Sequence, residues 1–377
     1  MRPDPAIPIQ LRDVTVHVVD MPLIRTFRTA HGTTTAKQTL IVRAQDEDGV
    51  VGWGEAPASD LPLYSPDTLE ASWYALTKLL APLVVGHRFE GPGQLASAWS
   101  EYQGYNFAKH ALECAAWTIA SEKLGAPLTA LLGGERTAVA VGESFGIEET
   151  VEDLLREIED RLGQGFCRIK VKIEPGWDLD VLRAVVRTYP EVPVMADGNC
   201  GYDPALPGPW AELDELRLLM LEQPFAGQAL VELADLQSRL ETPICLDESA
   251  VTPGLTAAAL RLGAGRIVNV KPPRLGGIAA SLAVHDHCRA LGVPLWCGGL
   301  LESGIGRAVN LAIASLPGFT LPADMSPARL FYAEDLVEPT FDIRGDGTVA
   351  VPDRPGTGFP VMEERVMRYR SATEVVH

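Results

Sequence analysis

The sequence has no long apolar run, no paired-cysteine motif and no excess of positive charge, and each absence removes a class of function. The 377 residues, 46% hydrophobic and 22% charged, have the composition of an ordinary globular protein that can bury a large core. Nothing reads as a membrane span, which needs about 18 consecutive apolar residues. The opening Met1-Arg2-Pro3-Asp4-Pro5 lacks the apolar centre of a secretion signal, so a cytoplasmic location is expected. Six cysteines (Cys114, Cys167, Cys200, Cys245, Cys288 and Cys297) are scattered without a CxxC. That argues against a zinc ribbon or a disulfide framework and leaves most of them as small core residues. The formal charge of −18 repels polyanions, so neither nucleic acid nor an anionic membrane is expected as a partner. An anionic small molecule would need cations gathered locally.

What is present begins with three alternating stretches, Leu11 to Met21, Thr39 to Ala44 and Val50 to Glu55, the last two joined at Asp48-Gly49, which read as a strand meander. Arg25 to Thr35, with Phe27, Arg28, His31 and Gly32, reads as a mobile loop, and Pro57 to Pro66, with Tyr64, as a second polar loop. Helical spacing follows over Thr68 to Leu83, Gln94 to Tyr102 and Asn106 to Leu124, the last stopped by Gly125 with Pro127 beyond. Residues 1–135 therefore read as an α+β capping domain. From Thr137 short apolar strands alternate with amphipathic helices. The strands are Val139 to Ser144, Arg168 to Ile173, Val192 to Asp197, Leu218 to Glu222, Pro243 to Asp247, Arg266 to Val270, Val293 to Cys297 and Phe319 to Ala323. Eight such repeats over residues 136–329 predict an α/β fold of the (β/α)8 TIM-barrel type. A doubly wound sheet is the alternative, weakened by the missing glycine-rich first turn. Residues 330–377 are too irregular for another repeat and are expected to pack back on the cap.

The chemistry centres on Arg168-Ile169-Lys170-Val171-Lys172-Ile173. Residues two apart on a strand share a face, so Lys170 and Lys172 point one way and the apolar residues the other. An exposed edge strand would explain two lysines equally well. The repeats downstream favour a site: Asp197, Glu222, Asp247 and Lys271 end four consecutive strands, 25, 25 and 24 residues apart. Singly, Asp197-Gly198 reads as a turn, Glu222 as a helix cap and Asp247-Glu248-Ser249 as a helix start. Together, at the carboxyl ends of neighbouring barrel strands, three carboxylates need a positive partner. Hard oxygen donors without His or Cys point to Mg²⁺ or Mn²⁺. The second and sixth strands lie four apart in a barrel of eight, so Lys172 and Lys271 oppose each other across the mouth, as suits reversible proton transfer at one carbon. His285 and His287 read as solvated helix residues, and Gly304-Ile305-Gly306 as a weak candidate phosphate site.

Lys170-Val171-Lys172, Asp197 with Asn199, Glu222-Gln223-Pro224, Asp247-Glu248-Ser249 and Lys271 together resemble the muconate-lactonising subgroup of the enolase superfamily. Residues 168–178, 243–249 and 296–307 more narrowly resemble its o-succinylbenzoate synthases and N-acylamino acid racemases. Asp197-Gly198-Asn199-Cys200 and the Pro272-Pro273 after Lys271 depart from the usual pattern, without removing a ligand or a base. The resemblance implies an enolase-like modified barrel and a divalent metal (Mg²⁺ or Mn²⁺) on Asp197, Glu222 and Asp247. It also implies a small-molecule carboxylate substrate that loses its α-proton to a lysine. Lys172 would be base and then acid in the dehydration that forms o-succinylbenzoate, a step of menaquinone biosynthesis, with Lys271 steadying the enediolate and Lys170 tuning Lys172. Both lysines would work in racemisation. Ser144, Asn199, Gly298 and Gly299 match substrate-contact positions, Glu302 is a further lining residue, and loops carrying Phe27, Arg28 and Tyr64 would close the mouth. A homo-oligomer is expected for this architecture. Muconate cycloisomerase and dipeptide epimerase are competing activities, although Asp324-Met325-Ser326 has one acid where the epimerases carry a pair. A Schiff-base aldolase using Lys172 or Lys271 is a competitor of another class, and a non-catalytic binding barrel another still.

Overall fold

The computed structural model describes residues 4–29 and 32–377, with side chains outside 25–36. Three antiparallel strands, β1 (Ile9–Thr29), β2 (Gly32–Asp46) and β3 (Val51–Ala56), form the predicted meander. The first two run further than their alternation suggests. Arg28 pairs with Thr33 and Phe27 with Thr34, so the described backbone of the expected first loop is a hairpin. The side chains of Phe27 and Arg28, and all of His31, lie outside the described residues. In register, Val16 faces Val42 and Val42 faces Gly54. Helix α1 (Asn106–Leu124) lies across this sheet and comes so close that a Cβ on Gly54 would stand 1.9 Å from the Ala111 carbonyl oxygen. Glycine there is a packing requirement. The expected helix over 68–83 is present as Leu69–Tyr74 and Ala81–Val84 around a wider turn at Ala75–Leu80, and the stretch before α1 is a tight helix, Pro92–Trp99. The strand Arg370–Val376 pairs with the outer edge of β1.

The second unit is a curled parallel sheet in sequential order: β4 (Glu143–Phe145), β5 (Ile169–Lys172), β6 (Val194–Asp197), β7 (Leu221–Glu222), β8 (Ile244–Leu246), β9 (Ile267–Val270) and β10 (Leu295–Cys297). Each is followed by a helix whose apolar side covers the sheet, as with Leu154 and Ile158 of Val151–Gly163. Two expectations need correction. The first predicted strand is split: Ala138–Ala140 pairs with Thr348–Ala350, and only Glu143–Phe145 enters the barrel. The eighth is no regular strand. Phe319 bridges to Leu295 and Ala323 to Val141, and the ring closes through single bonds such as Gly142 N to Ala323 O, 2.9 Å. Pro322, which has no amide to donate, interrupts the ladder between those bridges. Met195, Met220, Cys245, Ile267 and Trp296 fill the barrel interior. Among the described residues no helix is long and apolar enough to cross a membrane.

Candidate active site

Alternation along β5 places Ile169 and Val171 in the layer between sheet and helices and turns both lysines inward, where they are buried. Lys172 stands opposite Asp197 of β6 in register. Its Nζ lies 2.5 Å from Asp197 Oδ2 and 2.5 Å from Asn199 Oδ1. Asn199 in turn donates to Glu248 Oε1 at 3.2 Å. Lys170 reaches a different set: Asp324 at 2.7 Å, Glu222 at 3.3 Å and Asp197 at 3.5 Å. Its Nζ also sits 4.9 Å from the ring centre of Trp296, a face that favours the charged form. The two lysines of one strand thus share Asp197 and differ in their other neighbours.

Across the ring Lys271 follows β9, with Nζ 2.9 Å from Asp247 Oδ2. The other oxygen of Asp247 accepts from Arg274 and, at 2.7 Å, from the Tyr64 hydroxyl. The Tyr64 ring lies under the Lys271 ammonium at 4.4 Å. Arg274 was not singled out by sequence, yet it is buried and fixed by the carbonyls of Ala250 (2.8 Å) and Asn269 (2.5 Å). Its one signal was position, three residues past Lys271 in the turn opened by Pro272-Pro273. Asn269, also missed, donates to Glu222 Oε1 at 2.6 Å. Gln223 ties the ends of β7 and β8 by accepting from the amides of Asp247 and Ser249. A Cβ at Gly298 would meet Asn269 Oδ1 at 2.5 Å and Lys271 Cε at 2.6 Å, so the bare backbone there gives both side chains their room.

The remaining predicted residues divide. Ser144 lies on β4 beside Lys170 in register. Gly299 comes close to the Asp324 carbonyl, where a Cβ would stand at 2.9 Å. The Glu302 carboxylate is turned to its own loop and helix, accepting from Leu300 N at 2.9 Å and Asn310 Nδ2 at 3.0 Å. Outside the site, the reading of His285 as solvated is overturned, and the weak phosphate candidate at Gly304 is filled. His285 is buried, accepts from Gly318 N at 3.4 Å and stacks on Phe319, because its side of the helix faces the segment closing the ring. The helix start at Gly304 offers no open phosphate site. Glu55 of β3 accepts from Ser303 N, Ser303 Oγ and Gly306 N, and Asp335 from Gly304 N at 2.8 Å.

Asp197, Glu222 and Asp247 are almost wholly buried, at 1%, 0% and 0% exposure. Burial pushes the Glu222 carboxyl up, and the nearby Asp197 charge pushes it further. Burial and then Asp197 raise Glu248 to about 7, and its Oε2 has no hydrogen-bond partner. Asp197 itself is held low, because Lys172 and Lys170 outweigh burial. Burial would lower Lys271, but Tyr64, Glu222 and Glu248 prevail and hold it above the usual lysine range. Lys170 is raised in the same way by Asp324, Glu222 and Asp197. Among the described residues no three His, Cys, Asp or Glu side chains stand as a ready ligand cluster. Each of the three carboxylates is instead turned onto an ammonium or a guanidinium. The donor set still fits a hard divalent cation: oxygen-only, buried, on adjacent strands, and crowded enough that Glu222 and Glu248 are pushed toward their neutral forms.

Comparison with known proteins identifies the family. Residues 153–365 match the enolase C-terminal domain-like family, and residues 12–133 match the mandelate racemase / muconate lactonizing enzyme N-terminal domain. The chain is 42% identical to the o-succinylbenzoate synthase of Geobacillus stearothermophilus over 98% of both chains. It is 43% identical to the N-succinylamino acid racemase of Thermus thermophilus over 95% of this chain and 98% of that one. A crystal structure of an enolase superfamily member from Listeria innocua superposes with a TM-score of 0.93 at 32% identity, covering 98% and 99% of the two chains. With cap and barrel both matched, the chain belongs to the enolase superfamily, in its mandelate racemase and muconate-lactonizing branch.

Proposed function

We propose that the protein is a divalent-metal-dependent o-succinylbenzoate synthase that also racemises N-succinylamino acids at the same site. The observation that carries this reading is the placement of Lys172 and Lys271 at the ends of strands four apart, with Asp197, Glu222 and Asp247 on the three strands between. Full-length identity to proteins named for both reactions supports it. Asp197, Glu222 and Asp247 would hold Mg²⁺ or Mn²⁺. When bound, the cation supplies fixed positive charge for the carboxylate of the substrate as its α-proton leaves.

The chain's own residues do the rest. In dehydration Lys172 takes the α-proton and then returns it to the departing hydroxyl, so that water leaves and the ring becomes aromatic. Lys271, charged and held by Asp247, stands by the opposite face to steady the developing negative charge. In racemisation one lysine removes the α-proton and the other delivers one to the opposite face, and the two exchange roles for the other enantiomer. Lys170 stays protonated between Asp324, Glu222 and Trp296, a fixed positive charge beside the reacting site. Tyr64 covers the Lys271 side and limits water there.

The test is incubation with Mg²⁺ in D₂O, separately with the cyclohexadiene precursor of o-succinylbenzoate and with N-succinyl amino acids. Dehydration together with α-proton exchange is expected, both lost with EDTA and recovered on adding Mg²⁺. Dehydration without exchange rejects the racemase half, and exchange alone rejects the synthase half. Full activity in EDTA, or borohydride trapping of a carbonyl substrate on Lys172 or Lys271, replaces the reading with Schiff-base chemistry.

A further inference from the structure

Lys37 lies on β2, on the face it shares with Thr39, and is buried at 7% exposure outside the lysine and carboxylate set described above. Its Nζ donates to two backbone carbonyls, Pro57 at 2.8 Å and Ala58 at 3.2 Å. An ammonium is costly to bury. Burial draws Lys37 down to about 8, against the opposing pull of Glu55, Glu302 and Asp60. The two carbonyls are the first residues of the loop that carries Tyr64.

That loop is narrow at its neck and free at its tip. Ser59 bridges to Thr68, and Ser59 O accepts from Leu69 N at 2.9 Å. The far foot is fixed by Asp67, whose carboxylate accepts from the amides of Asn106 (2.9 Å) and Phe107 (3.4 Å) at the start of α1. Asn106 then reaches the barrel, donating to Arg274 O at 2.7 Å. Between the feet, Leu61 and Leu63 are exposed, and Tyr64 turns inward to Asp247 and Lys271. One foot is therefore clamped by an anion onto a helix start and the other by a cation onto the sheet.

We propose that Lys37 is a positioning residue of this loop: its ammonium clamps the loop's first foot so that Tyr64 is held on Lys271 and Asp247. The clamp itself is independent of the reaction assigned above, and only its kinetic consequence rests on that reading. Hydrogen exchange on the full-length protein and steady-state kinetics with an N-succinyl amino acid test it together. Lys37→Met is expected to speed amide exchange in residues 59–67 by about tenfold while β5 to β9 keep their protection. KM should rise about tenfold with kcat changed less than about threefold, and Lys37→Arg should restore most of both. The KM effect should shrink when Tyr64→Leu is already in place. Should Lys37→Met not fold, Lys37→Gln, short and uncharged, is read in its place. Unchanged exchange in the loop, exchange that rises equally across the barrel strands, or a KM effect of the same size without Tyr64 overturns the proposal. If the parent protein turns over neither substrate, the functional reading fails and the exchange pattern alone decides the clamp.

Discussion

The buried carboxylates of the barrel mouth and those of the seam between cap and barrel are satisfied in opposite ways. At the barrel mouth Asp197, Glu222 and Asp247 are paired with side-chain cations, Lys172, Lys170, Lys271 and Arg274. At the seam between cap and barrel, Glu55 and Glu113 are satisfied by neutral donors. Glu55 takes the amides of Ser303 and Gly306 and the hydroxyls of Ser303 and Thr39. Glu113 takes Ala279 N at 2.9 Å and Trp117 Nε1 at 3.3 Å. A backbone amide at a helix start cannot be redirected without unwinding the helix, so the seam carboxylates lock two cap elements to the starts of two barrel helices. An ammonium on four methylenes can swing from one partner to another. The mouth can therefore rearrange its charges during a reaction, and the seam cannot.

The largest effect expected from this contrast is at the mouth. Lys172→Ala should lower kcat for both reactions by roughly 10²–10⁴-fold while leaving the fold intact, read by stopped assays beside a thermal melt. Substantial residual turnover would remove Lys172 from the role of base, and a collapsed melt would show that the mouth is as structural as the seam.

The seam should behave the other way. Glu55→Ala leaves buried donors at the Gly304–Ala314 helix start without an acceptor, a loss of about 1–3 kcal/mol for such groups. Urea unfolding should report that loss, while the active molecules that remain keep their KM for substrate. A raised KM with unchanged stability would place Glu55 in the site and erase the distinction between the two regions.

How far each region could be read from sequence follows from the same contrast. Lys170, Lys172, Asp197, Glu222, Asp247 and Lys271 were legible because strand alternation and the βα repeat fix both their face and their spacing. Arg274 was not, since two of its partners are backbone carbonyls, which carry no residue signature. Glu55 was hidden for a related reason: the helix start it caps lies 248 residues away at Ser303, and the glycines around it read only as a weak candidate phosphate site. The eighth strand was predicted from its apolar residues, and Pro322 within it carried the opposing signal. His285 sits on a polar-looking stretch whose buried side is set by the ring-closing segment around Gly318 and Phe319, a contact no local pattern announces.

A further expected effect is in the pH dependence of stability. Burial pushes the Glu113 carboxyl up to about 7, against the pull of Ala279 N and Trp117, from an ordinary glutamate value of 4.5. Below the ordinary value both folded and unfolded chains hold the proton. Between there and about 7 only the folded chain does, so stability from this group is complete on the acid side and is lost as pH rises through the folded value. Glu143, raised by burial to about 7 although Ser326 donates to it, titrates in the same window. Stability measured by urea at fixed temperature should therefore fall between pH 5 and pH 8, on the order of 2 kcal/mol for each group. Glu113→Gln should make that slope shallower, and the remainder should persist because Glu143 and Glu248, raised to the same range, are untouched. An unchanged slope in Glu113→Gln would mean that the seam carboxylate is ionised throughout, held by its N–H donors as Asp197 at the mouth is held by lysine.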